Sequence, residues 1–258
     1  MLPLKDYNPT SSVAWVTIVL IAINVGVFLT EPILSSGRTQ EQQVVAQARY
    51  FACHGAVPFE VTHGERTGDA LRRGTRFESE ADNAYAALEA LTCPHKNVWL
   101  SIITSMFLHG SIAHIGFNML FLWIFGNNVE DRLGKIRYIV FYLVCGIAAA
   151  YAQSYVFPSS ATPLVGASGA IAGVLGAYIV MFPTAPILTW VFFFIIPIPA
   201  FIMIGVWFLL QLTSSVGSVS GDTGVAYMAH VGGFLAGMLL LLILRPRRPK
   251  PVVVSPYC

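Results

Sequence analysis

Gly166-Ala167-Ser168-Gly169-Ala170-Ile171-Ala172-Gly173 opens an apolar segment in which one hydroxyl stands among residues too small to cover it. Small residues on a membrane helix let a neighbouring backbone come close, and the Gly169-to-Gly173 spacing is the usual form of that contact. A second stretch, Ala229-His230-Val231-Gly232-Gly233-Phe234-Leu235-Ala236-Gly237, places a histidine beside its own pair, Gly233 and Gly237. A serine becomes a nucleophile only when a neighbouring base takes its proton. The fold reading therefore turns on whether these two segments meet.

The rest of the chain makes a membrane setting necessary. It has 258 residues, 55% apolar and only 11% charged, with a mean hydropathy of +0.67. A soluble domain carries about 25% charged residues. Several apolar runs approach the ~20 residues that cross a bilayer, so the expected fold class is all-α, a polytopic bundle of six transmembrane helices. A net charge of +2 says little about partners, and no nucleic-acid partner is expected. The partners implied are the lipid bilayer itself and whatever enters it, and nothing sets an oligomeric state.

In chain order, residues 1–12 form an N-terminal flank and 13–30 a first span holding Asn24, read as retained and not as a signal peptide. Residues 31–98 form a long polar loop with nine of the thirteen acidic and seven of the fifteen basic residues. Within it, Ala81 to Leu91 reads as a short helix. Residues 99–244 hold five further spans, near 112–130, 136–157, 164–182, 200–213 and 225–244. The apolar stretch Ile187 to Pro199 is flanked or broken by Pro186, Pro197 and Pro199 and reads as an interfacial or re-entrant segment, not a span. Residues 245–258 are a basic tail.

Lys5, the Arg132/Lys135/Arg137 turn and the tail share one side of a six-span bundle, and the positive-inside rule makes that side the cytoplasm. Both termini are then cytoplasmic and the 31–98 loop is outside. With no organelle presequence in view, the expected address is the cell (plasma) membrane. Spans two, four and six each begin on the outer side. His114 and Asn118, Ser168 and His230 then fall at similar shallow depth, at ~1.5 Å per helical residue.

A base such as His230 suits Ser168, with Asp222 as a weak candidate to orient the imidazole. His114 and Asn118, spaced i, i+4, project from one helix face. Donors beside a nucleophile can hold a tetrahedral oxyanion, each worth about 2.7–4 kcal/mol of barrier. Each residue also has a purely structural reading: a serine bonding its own helix, a histidine paired within a bundle, an interhelical His–Asn pair.

Other chemistries fit less well. There is no His-Glu-x-x-His, no pair of mid-span aspartates, and no second glycine of a Gly-x-Ser-x-Gly elbow. No metal and no cofactor is assigned. Cys53 and Cys93 lie in the polar loop with His54, His63 and His95. A disulfide, free thiols and a zinc site all remain open for them, and an extracytoplasmic location favours the disulfide.

Taken jointly, Phe107-Leu108-His109-Gly110 followed by His114 and Asn118, the run from Asn118 to Gly126 into Val129-Glu130-Asp131-Arg132-Leu133-Gly134, Gly166-Ala167-Ser168-Gly169 and Ala229-His230 with Gly233 and Gly237 resemble the rhomboid family of intramembrane serine proteases. The resemblance covers about Trp99 to Leu244 and the first span. It implies an endopeptidase acting on transmembrane protein substrates near the outer leaflet. Ser168 would be nucleophile and His230 base, with His114, Asn118 and the Ser168 N–H as oxyanion hole. Gly166, Gly169, Gly173, Gly233 and Gly237 would support close helix packing. The fifth span and the Ser214–Gly224 loop would resemble a lateral gate and cap, and Glu130 and Arg137 would be structural. The alternative is a catalytically silent rhomboid-like scaffold that binds membrane helices. The 31–98 loop is longer than the minimal family form.

Overall fold

The structure, a computed structural model, describes residues 1–34, 37, 39–218, 225–244 and 246, with only the backbone described at 215–218. Asp222, the tip of the Ser214–Gly224 loop, Cys258 and nearly all of the basic tail lie outside the described residues.

The fold is mostly helical. Strand β1 (Leu2–Asp6) precedes α1 (Trp15–Thr30), and four short helices follow: α2 (Gln40–His54), α3 (Pro58–His63), α4 (Thr67–Arg72) and α5 (Glu80–Thr92). Then come α6 (Val98–Thr104), α7 (Ile112–Leu133), α8 (Lys135–Val156) and α9 (Ser168–Met181). Strands β2 (Pro186–Val191) and β3 (Phe194–Pro199) lead to α10 (Ala200–Ser218) and α11 (Tyr227–Leu244). Among the described residues, α7, α8 and α11 are long and apolar enough to cross a membrane, while α1 and α9 are shorter apolar helices.

The centre of the molecule is the α9–α11 contact. A side chain at Gly233 would run into the Gly169 carbonyl, and one at Gly237 into the Gly173 carbonyl, so the two backbones touch directly. Helix α8 closes the other side, with Ala149 against Gly169 and Cys145 against Gly173. Around this contact the buried core runs through Leu122, Phe125, Tyr138, Phe141, Tyr142 and Tyr178.

Glu130 explains how α1 joins the bundle. Its carboxylate accepts from the Val16 N–H at 3.0 Å, the Thr17 N–H at 2.8 Å and the Thr17 hydroxyl at 2.9 Å. Those donors belong to the first turn of α1, where N–H groups lack intrahelical acceptors and a negative charge is favoured. Arg137 donates to the Leu244 carbonyl, tying α8 to the end of α11.

One expectation needs correcting. The chain is not all-α: β1, β2 and β3 form an antiparallel sheet in that order. The Ile187–Pro199 stretch is a hairpin, because Ile-, Val- and Trp-rich residues suit a pleated backbone while Pro197 and Pro199 sit on the edge strand, where no ladder donor is required. The N-terminal flank supplies the third strand. Asp6 anchors it, accepting from Tyr178 Oη at 2.7 Å and Asn128 Nδ2 at 2.6 Å.

The long loop is a folded subdomain. Val57, Phe59, Ala70, Phe77 and Ala86 form its own small core, completed by Ala161 from the bundle. Thr39 and Gln42 cap α2 reciprocally. Arg66 reaches Asp69 and the Cys93 carbonyl, and Lys96 Nζ lies 2.7 Å from a fully buried Glu60. Cys53 and Cys93 bring their Cα atoms to 5.4 Å with the sulfurs at bonding distance. Among the described residues no three His, Cys, Asp or Glu side chains converge as a metal site.

Candidate active site

Ser168 is the first residue of α9, and the residue before it, Ala167, offers no side-chain cap. The opening N–H groups of that helix therefore point into the space beside the serine with the positive end of the helix dipole behind them. Across the glycine contact, His230 Nε2 lies 2.8 Å from Ser168 Oγ. The N-terminal turn of α11 is held by Gln153 of α8, whose Oε1 accepts from the Ala229 N–H at 3.2 Å.

His114 and Asn118 of α7 face the same cavity of about 850 Å³, which Ser168 and His230 also line. Asn118 is buried, and its Nδ2 has no hydrogen-bond partner among the described residues. An unpaired amide donor of this kind is costly unless something in the cavity accepts from it. Gly166 has φ +122°, a conformation that side-chain-bearing residues rarely adopt. A methyl there would also stand 2.8 Å from His114 Nε2, and 3.5 Å from Ser168 Oγ. The imidazole and the hydroxyl thus flank the same small space.

The protonation of His114 follows from its neighbours. The Gly110 N–H donates to His114 Nδ1 at 3.3 Å, which leaves the proton on Nε2, the nitrogen turned toward Gly166 and Ser168. The His109–Gly110 turn is itself clamped. The buried Glu31 carboxylate accepts from the His109 N–H at 2.9 Å, and Gln47 of α2 donates to the Gly110 carbonyl at 3.0 Å. Burial holds the Glu31 carboxyl up at about 7. Burial, and then the nearby His114, hold His109 down at about 4. His109 packs edge-on to His114, ring centroids 5.2 Å apart.

The structure thus brings together Ser168, His230, His114 and Asn118, and sets Gly166, Gly169, Gly173, Gly233 and Gly237 where they permit that approach. Three features escaped the sequence reading. Gln211 of α10 lies 2.6 Å from His230 Nδ1 through its Oε1. Gln153 and Glu31 are the others. A polar residue inside an apolar run was the available signal for Gln211 and Gln153. For Glu31, at the end of α1, no local pattern pointed to His109.

A family profile described as "Rhomboid domain" matches residues 96–247. The chain belongs to the rhomboid family. Like other members it is an integral membrane protein. It is 36% identical over 148 residues to "Rhomboid protein 1, mitochondrial" of Saccharomyces cerevisiae, which covers 54% of this chain and 40% of that protein. It is 47% identical over 79 residues to "Rhomboid protease GluP" of Bacillus subtilis, covering 31% of this chain and 15% of that one. It is also 30% identical over 158 residues to "Presenilin-associated rhomboid-like protein A, mitochondrial" of Danio rerio, 58% and 40% of the two chains. This rhomboid chain thus matches less than half the length of each of these relatives. The expected plasma-membrane address draws no support from relatives whose names include mitochondrial ones; what carries over is residence in a membrane.

Proposed function

We propose that this rhomboid protein is an intramembrane serine endopeptidase that cleaves transmembrane segments of other membrane proteins near the end of the bundle where the 31–98 subdomain sits. The observation that carries the proposal is the Ser168 Oγ to His230 Nε2 hydrogen bond of 2.8 Å in a cavity that also holds an Asn118 donor with no partner among the described residues. A merely packed serine needs neither the base nor the waiting donor.

In this mechanism His230 Nε2 takes the Ser168 proton as Oγ attacks the scissile carbonyl. The carbonyl oxygen becomes an oxyanion held by the His114 Nε2–H, the Asn118 Nδ2–H and the Ser168 N–H, aided by the positive end of α9. The imidazolium then protonates the leaving amine, and water repeats the sequence in reverse on the acyl-enzyme. Helix α9 has only 14 residues, about 21 Å at 1.5 Å per residue. With its far end at the opposite face of a hydrocarbon layer about 30 Å thick, its start would be sunk below the near surface. Water and an unwound substrate would meet there.

The same reading assigns six spans, α1, α7, α8, α9, α10 and α11. Residues 1–12 and 245–258 are then on the cytoplasmic side, the 31–98 subdomain is outside, and 99–244 is the catalytic bundle. Cys53 and Cys93 form a structural disulfide in that outer subdomain. The name "Rhomboid protease GluP" of the Bacillus subtilis relative supports the enzymatic reading. The test is cleavage of a single-span reporter in proteoliposomes by wild type and Ser168→Ala. Loss of product in the variant is expected. Equal cleavage by both ends the protease reading, and binding without cleavage by the wild type leaves the helix-binding scaffold.

A further inference from the structure

The pair of Ser168 and His230 leaves one nitrogen of the base to be explained. A histidine acts on serine through Nε2 when its proton resides on Nδ1, and an acceptor at Nδ1 favours that tautomer and fixes the ring. Asp222, the sequence candidate, lies outside the described residues. Within them, Gln211 Oε1 stands 2.6 Å from His230 Nδ1, while Nε2 is 2.8 Å from Ser168 Oγ. The three side chains form a continuous line, amide to imidazole to hydroxyl.

We infer that Gln211 is a positioning residue for the proposed reaction, a neutral third member that accepts from the His230 Nδ1–H and keeps Nε2 free as base. The inference rests on the serine-protease reading and deepens it. A carboxylate would do the same job with a full charge, which is expensive to hold inside a bilayer. An amide oxygen supplies the acceptor without that charge. Its dipole also favours the positive imidazole formed as the serine proton is taken.

Among the described residues, the other groups near His230 do not supply this acceptor. Trp207 and Tyr227 present rings whose centroids are 6.0 and 6.4 Å from the imidazole, and His114 faces it from α7 across the cavity. Glu78 and Asp82 enter the same cavity from the subdomain, and Asp82 is already occupied by Ser79, Ser160, Ala161 and Thr162.

The location of Gln211 has a consequence. Ser168 and His230 sit on helices whose backbones touch at Gly169–Gly233 and Gly173–Gly237. Gln211 rides on α10, which meets α11 through large side chains, Phe208 stacking on Phe234. A shift of α10 away from the bundle therefore leaves the serine–histidine distance intact but withdraws the acceptor from Nδ1. The base is correctly set only while α10 is docked.

The test compares Gln211→Leu and Gln211→Glu with wild type, using the single-span reporter and the rate at which a fluorophosphonate probe labels Ser168. Gln211→Leu removes the acceptor at nearly constant volume. It lowers kcat and the labelling rate about 10- to 100-fold, the range for losing a hydrogen bond to a charged group, with KM within about twofold. Gln211→Glu restores the acceptor; its labelling rate recovers above that of Gln211→Leu, and the acid limb of its rate profile moves to higher pH. Wild-type labelling by Gln211→Leu overturns the inference, as does a rise in KM at constant kcat or a Gln211→Glu variant no faster than Gln211→Leu with an unmoved profile. If Gln211→Leu does not fold, the Gln211→Glu profile alone decides. Failure of the protease reading is distinguishable, because Ser168→Ala would then cleave like wild type.

Discussion

Asn118 and Glu31 show how single buried polar groups divide between the proposed chemistry and support. Asn118 Nδ2 is a buried donor facing an open cavity. Asn118→Leu removes it without emptying the site, so kcat should fall about 10²- to 10³-fold while reporter binding is retained. An unchanged kcat would assign Asn118 to packing. Glu31 acts on proton balance instead. Its carboxyl is held at about 7 against an ordinary 4.5, so between those values the folded chain binds a proton that the unfolded chain releases. Stability therefore falls as pH rises through that window. His109 works in the opposite sense: held at about 4 against 6.5, it makes stability rise as pH climbs through that range. The two slopes oppose each other below about 6.5, and of the two only that of Glu31 extends to neutrality. Thermal midpoints in detergent should show Glu31→Gln losing the decline around pH 7 and keeping the acid-side loss. A midpoint profile identical to wild type would mean that Glu31 is as accessible to protons as in the unfolded chain.

At the scale of elements, the proposed reaction geometry depends on two helices approaching to backbone contact. Gly233→Val pushes the Gly169 carbonyl away from α11, and with it the Ser168 hydroxyl from the imidazole. Fluorophosphonate labelling of Ser168 should drop at least about 100-fold, since the base then lies out of reach, and the protein should still fold as a bundle by circular dichroism. Retained labelling would mean that the approach is not what brings the dyad together. This contact was legible in the sequence because small residues recur at one spacing in both segments, and the helical face of His114 and Asn118 was legible for the same reason of periodicity. The sheet was not. Leu2–Asp6 has no local signal for pairing with Ile187–Trp190 so far along the chain, and Asp6, which ends the strand, is held by Tyr178 and Asn128. The hairpin prolines were read correctly as barring a span, but the same residues serve an edge strand. Gln211 was visible only as a glutamine in an apolar run, and its partner depends on how α10 lies across α11.

The whole molecule joins the subdomain to the candidate site at several points on the segments that lead into it. Asp82 accepts from the Ser160 hydroxyl, the Ala161 N–H and the Thr162 hydroxyl. The Ala56 carbonyl accepts from the Leu164 N–H at 2.6 Å, and the Phe59 N–H donates to the Ser160 carbonyl at 2.9 Å. That segment runs directly into Gly166 and Ser168. On the other side Gln47 holds Gly110 and hence the tautomer of His114. Helices α2 and α5, which carry Gln47 and Asp82, are the pair that Cys53 and Cys93 link. An insertion that merely decorates the bundle would make none of these bonds. Closing a 40-residue separation, the link is worth about 2–4 kcal/mol to the subdomain. The double variant Cys53→Ala/Cys93→Ala should accordingly unfold at lower temperature. Its kcat on the reporter should fall while the Ser168–His230 hydrogen bond persists, so fluorophosphonate labelling falls less than peptide cleavage does. Asp82→Ala should reproduce the kcat loss with the disulfide intact, because it frees the same segment. Full activity in both variants would separate the subdomain from catalysis and leave it a passive extension of the fold.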